Sequence, residues 1–96
     1  TMRQGLAAMQ ATVAALEGPL YLSFDLDVLD PSCAPGINHP EPGGLTTREA
    51  MTLLQAVPRR LLVAADVVEL NPGNDLRDLT ARVAAKLVKE LVGRME

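Results

Sequence analysis

Ser23-Phe24-Asp25-Leu26-Asp27-Val28-Leu29-Asp30-Pro31 follows a break at Gly18-Pro19 and an apolar lead of Leu20-Tyr21-Leu22. The lead reads as a buried strand over residues 20–26, with Asp25 and Asp27 arriving as it ends. Strand side chains alternate, so these two carboxylates are expected on one face, about 7 Å apart at ~3.3 Å per residue. Two like charges beside a buried sheet are costly. A cation between them removes that cost, and so does a shared proton. Hard oxygen donors paired in this way point to a metal ligand pair. The plainer alternative is that Asp25 caps a turn and Asp27 or Asp30 starts an Asx-type turn before Pro31.

Working outward, the chain has 96 residues, 48% of them apolar and 2% aromatic, which suits one small helix-and-sheet domain built on Ala, Leu and Val. A net charge of −3 with interspersed signs gives no nucleic-acid footprint and no basic patch for an anionic membrane. One cysteine, Cys33, excludes an internal disulfide framework and fits a reducing compartment, read as the cytoplasm. No apolar run is long enough to span a bilayer and no signal-peptide pattern appears. Thr1-Met2 begins in the middle of a helical pattern, so the chain is expected to be a piece of a longer protein.

Met2, Leu6, Met9, Val13 and Leu16 form one helical stripe over residues 2–17, expected to pack in the core. Residues 27–44 hold four prolines and three glycines from Pro31 onward and read as a stiff, shaped loop of the kind that carries function. His39 lies in it, a pocket residue or a surface one. Thr46-Thr47-Arg48-Glu49 is a capping box, and the helix it opens packs through Ala50, Leu53, Leu54 and Val57. Arg59-Arg60 reads as a solvated pair. Leu61 to Val68, interrupted by Asp66, suits a strand buried on both faces. Asn74 or Asp75 caps a last helix with the stripe Leu76, Leu79, Val83, Leu87 and Leu91. Alternation of helix and strand means an α/β fold with a parallel sheet, whose ligands bind at the strands' carboxyl ends. Asp25, Asp27 and Glu69 are therefore expected on one rim.

The motif 23–31, with Ala34-Pro35-Gly36 and Pro42-Gly43-Gly44-Leu45, resembles the signature of the ureohydrolases, the arginase and agmatinase family. Asp66-Val67-Val68-Glu69-Leu70-Asn71-Pro72 resembles that family's second motif, and residues 81–91 its final helix. The resemblance implies part of a three-layer α/β/α parallel-sheet, arginase-like fold, with residues 1–96 as the C-terminal segment of the domain. It implies that Asp25 and Asp27 ligate a pair of Mn2+ ions and that Glu69 grips the guanidinium of the substrate. The reaction would be hydrolysis of arginine, agmatine or a related guanidino compound to urea and an amine by metal-activated water. Asp30 is expected to fix the loop. Arg48 and Glu49 fall where inter-subunit contacts occur in the family, implying a homotrimer or homohexamer, although the capping box alone accounts for Glu49. No metal-binding residue is carried over as catalytic in its own right.

Two departures from the family pattern stand out. The further His and Asp ligands of upstream motifs are absent, so the isolated chain is expected to be inactive or nearly so and to bind manganese at roughly millimolar affinity or weaker. Ile37-Asn38-His39-Pro40-Glu41-Pro42 replaces the Gly-Thr-Pro of many members, and a His here resembles the plant-type arginase branch close to the agmatinases. Two rival readings exist. Phe24-Asp25-Leu26-Asp27 also resembles the nucleophile motif of haloacid-dehalogenase-type phosphatases, but Leu29 stands where Thr or Val is usual, and the downstream Lys and acidic loop are not matched. An EF-hand fails at Leu29, Asp30 and Gly36. A non-catalytic packing or assembly fragment is the third possibility.

Overall fold

The structure, a computed structural model, describes residues 2–95, with the side chains of Met2 and Arg3 outside that description. Thr1 and the Met2 member of the first stripe therefore lie outside the described residues. Five elements follow in order: α1 (Met2–Ala14), β1 (Leu20–Asp25), α2 (Thr47–Ala56), β2 (Leu62–Val68) and α3 (Leu79–Met95). Single 3-10 turns occupy Leu26–Val28, Arg59–Leu61 and Pro72–Asn74.

β1 and β2 pair in parallel, with Ser23 opposite Asp66 and Asp25 opposite Val68. Leu20, Leu22 and Phe24 of β1, with Ala65 and Val67 of β2, rest on a core containing Leu26, Leu29, Ile37, Leu54, Leu87 and Leu91. The other face carries exposed Tyr21 and Ser23. The α/β class with a parallel sheet is thus as expected, and both strands end at the same rim.

Several local expectations change. β2 is not buried on both faces: Val63 is 65% exposed and Val68 37%. Among the described residues the sheet has two strands, and α3 covers only one side of β2. The stripe of α1 is only half sequestered. Leu6 and Val13 are partly buried, whereas Met9 and Leu16 stand largely in solvent, because α2 is the one helix with substantial contact to α1. An apolar groove of about 370 Å³ runs between α1, the underside of β1 and α2.

α3 buries Val83, Leu87 and Leu91 as its spacing predicts, but Leu76 lies outside the helix and is exposed. Arg77 and Asp78 adopt φ of +51° and +60°, which delays the helix start to Leu79. Asp75 nonetheless serves as the cap: its Oδ1 accepts the Thr80 N–H at 2.9 Å and its Oδ2 that of Ala81 at 3.0 Å. Arg59 is not simply solvated, since its guanidinium donates to the Gly93 carbonyl at 3.0 Å and fastens the turn to the end of α3.

Candidate functional site

The rim is built where β1 stops. Asp25 closes the strand in extended conformation and caps the 3-10 turn Leu26–Val28, its Oδ1 accepting the Asp27 N–H at 2.8 Å. Leu26 and Leu29 are fully buried, and their burial pulls the chain out of the strand one residue earlier than the apolar pattern suggests. The strand thus ends at Asp25 and not at residue 26, which corrects the same-face argument from alternation. A capping turn, not the strand, sets the Asp25 carboxylate against the Asp27 backbone. Asx-type capping and a ligand role are compatible, because the cap engages only Oδ1 of Asp25.

Asp27 is the most informative member. Its Oδ1 is buried and receives no hydrogen bond. Its Oδ2 faces the His39 Nδ1 at 3.5 Å, in a side chain that is 23% exposed overall. A buried carboxylate oxygen without a donor is costly, and a cation supplies what the protein withholds. Two hard carboxylates, one with an orphaned oxygen, fit a divalent ion such as Mn2+. Among the described residues no group of three His, Cys, Asp or Glu side chains converges to hold a metal, so they form no complete metal site by themselves.

Glu69 follows Val68, whose register partner is Asp25, so it sits on the same rim on the neighbouring strand. It is exposed and adopts φ of +75°, a left-handed conformation that side chains disfavour. The expectation that three carboxylates share this rim holds, but they do not form a three-donor set.

Asp30 belongs to the loop, both its carboxylate oxygens being taken up by loop donors. Its Oδ2 accepts from the Ser32 hydroxyl and, at 2.9 Å, the Ser32 amide, while Oδ1 accepts the Gly43 N–H at 2.8 Å. These bonds, led by the Ser32 hydroxyl, lower its pKa to about 2. Arg48 is exposed on α2, and Glu49 forms the capping box reciprocally, accepting the Thr46 N–H at 2.9 Å and donating its own to Thr46 Oγ1 at 3.1 Å.

Three features escape sequence reading. Asp66 accepts the Ser23 hydroxyl at 2.6 Å and the Tyr21 hydroxyl across the strands, which lowers the carboxyl pKa of Asp66 and raises that of the Tyr21 phenol. Thr80, fully buried, accepts the Gly36 N–H at 2.7 Å. Asn71 and Asn74 reach across to residues 36–38. The sequence signal for the last pair is the turn-forming run Asn71-Pro72-Gly73-Asn74, of which only Asn74 is expected to act, as a helix cap. The apolar groove beneath β1 is lined by residues such as Met9, Val13, Phe24 and Leu54 and by no carboxylate, so it is separate from this chemistry.

The chain matches the model of the arginase family over residues 1–93. It is 52% identical to the mitochondrial arginase of Medicago truncatula over 77 residues, covering 79% of this chain and 22% of that protein. It is 46% identical to a guanidinopropionase of Pseudomonas aeruginosa over 87 residues, covering 91% of this chain and 27% of that one. Its fold superimposes on Trypanosoma cruzi formiminoglutamase, solved with Mn2+, at a TM-score of 0.79 and 26% identity, over 97% of this chain and 32% of the other. The chain thus spans less than a third of the length of these relatives. A capped carboxylate pair at the end of one strand, a glutamate at the end of the next and a match over nearly the whole length lead to one conclusion: this chain belongs to the arginase family.

Proposed function

We propose that the chain contributes half of a binuclear manganese site and the guanidinium-binding carboxylate of a ureohydrolase. The observation that carries this is the buried, unpartnered Oδ1 of Asp27 beside the capped Asp25, on the rim that also bears Glu69. Asp25 and Asp27 would hold the metal; Glu69, a carboxylate, would accept the paired N–H donors of a planar guanidinium. Bound manganese at such a pair acidifies water, providing a nucleophile near neutral pH. His39 is 80% exposed, with its Nδ1 3.5 Å from Asp27 Oδ2, and would line the substrate pocket of the complete protein from the rim. The substrate is a guanidino compound of the arginine, agmatine or guanidinopropionate type, cleaved to urea and an amine. The remaining ligands would come from polypeptide outside these residues. Manganese as the metal is supported by the Mn2+ bound in the Trypanosoma cruzi formiminoglutamase.

The protein is further proposed to work in the cytoplasm as a homotrimer or homohexamer, with Arg48 and Glu49 at the subunit contact. Exposure of Arg48 on α2 supports that placement.

The test is urea release by the complete gene product, loaded with manganese and offered arginine, agmatine and 3-guanidinopropionate in turn. One of these is expected to turn over, with Asp27→Asn lowering both manganese retention and rate. Absence of urea from all three, or phosphate release from a simple phosphoester, overturns the assignment.

A further inference from the structure

The loop carrying His39 and the loop carrying Glu69 are stitched together by a specific set of bonds. Asn71 donates its backbone N–H to the Gly36 carbonyl at 2.7 Å and its side-chain Nδ2–H to Asn38 Oδ1 at 2.7 Å. Asn74 Nδ2 donates to the Ile37 carbonyl at 2.9 Å. Asn71 is itself held, its Oδ1 accepting the Gly73 N–H at 3.0 Å. Asn38 precedes His39 directly, and Asn71 follows the left-handed Glu69 by two residues. Ile37 is fully buried, which anchors one side of the seam.

We propose that Asn38 and Asn71 are positioning residues that hold the Glu69 carboxylate in register with the loop bearing His39, and so set the affinity for the guanidino group. The inference rests on the ureohydrolase reading above. A left-handed glutamate has no local reason to keep one orientation: its φ is strained, and such a conformation persists only where the surroundings enforce it. The Asn71 seam, two residues away, is the enforcing contact. Asp25 and Asp27 make no hydrogen bond in the seam, and their one link to its loop is the 3.5 Å approach of Asp27 Oδ2 to His39 Nδ1, so loss of the seam is expected to act on substrate binding more than on the metal.

In the complete, manganese-loaded gene product, Asn38→Ala is expected to raise KM for the guanidino substrate about tenfold, with kcat changed less than about twofold and manganese retention unchanged. Asn38→Asp keeps the acceptor oxygen for Asn71 and is expected to return KM toward that of the unaltered protein. The double variant Asn38→Ala/Glu69→Gln is expected to have the KM of Glu69→Gln alone, since a residue acting through Glu69 has nothing further to lose. An unchanged KM in Asn38→Ala, a fall in kcat with KM intact, or KM effects that multiply in the double variant would overturn the proposal while leaving the ureohydrolase reading in place. An unaltered protein that releases no urea overturns both.

Discussion

Gly44 lies so close to Asp30 that a Cβ built on it would stand 2.7 Å from the Asp30 backbone nitrogen. The approach comes from a parallel bridge between Leu29 and Leu45, in which Leu45 N–H donates to the Val28 carbonyl at 2.9 Å and Asp30 N–H to the Leu45 carbonyl at 2.8 Å. The Asp30 carboxylate closes the same loop from the other side through Gly43. The long loop is therefore shut at its neck, directly behind the rim that carries Asp25 and Asp27.

Gly44→Ala should accordingly destabilise the protein by about 1–3 kcal/mol, because the clash is with backbone that has nowhere to go. Urea denaturation followed by far-UV circular dichroism measures it. A variant as stable as the parent would mean that the neck opens freely.

Asp30 has a pH signature. Its folded pKa, about 2, lies below the ordinary 3.8 because of the bonds from Ser32 and Gly43. A depressed carboxylate stabilises the fold above its unfolded pKa, and that contribution fades as pH falls from about 4 toward 2. The carboxyl pKa values of Asp66 and Asp75 are shifted in the same direction. Thermal midpoints of Asp30→Asn should therefore drop less steeply over this range than those of the parent; parallel curves would show that the loop bonds do not hold in solution.

Thr80→Val tests the buried seam between the loop and α3. Valine fills the same space but cannot accept the Gly36 N–H, which is left buried and unpaired at a cost of about 2 kcal/mol. Thr80→Ser keeps the acceptor and should cost less. A Thr80→Val variant as stable as the parent, with the loss confined to Thr80→Ser, would assign the effect to the methyl group.

Glu69→Gly separates stability from chemistry. Relief of the +75° φ offsets the added freedom of glycine in the unfolded chain, so stability should change by less than about 1 kcal/mol. Guanidino hydrolysis in the complete protein should fall about 10- to 100-fold with loss of the charged acceptor. A large loss of stability would show that the left-handed geometry is not strained.

Much of this was legible in the residues. Helix and strand types, the Thr46–Glu49 capping box and the Asp30–Ser32 turn depend on neighbours a few positions apart, where propensity and turn chemistry act directly. The motifs at 23–31 and 66–72 identified the family for the same reason: they are contiguous. What depended on the third dimension was different in kind. That Asp25 caps a turn and bonds the Asp27 N–H followed from burial of Leu26 and Leu29, which competes with strand propensity and wins. That Asn38 reaches Asn71, Ile37 reaches Asn74 and Gly36 reaches Thr80 involves separations of 33, 37 and 44 residues, over which no periodicity carries information. Local chemistry named the carboxylates; burial of Leu26 and Leu29 at the end of β1, and for Glu69 the long-range bonds of Asn71, decided where they stand.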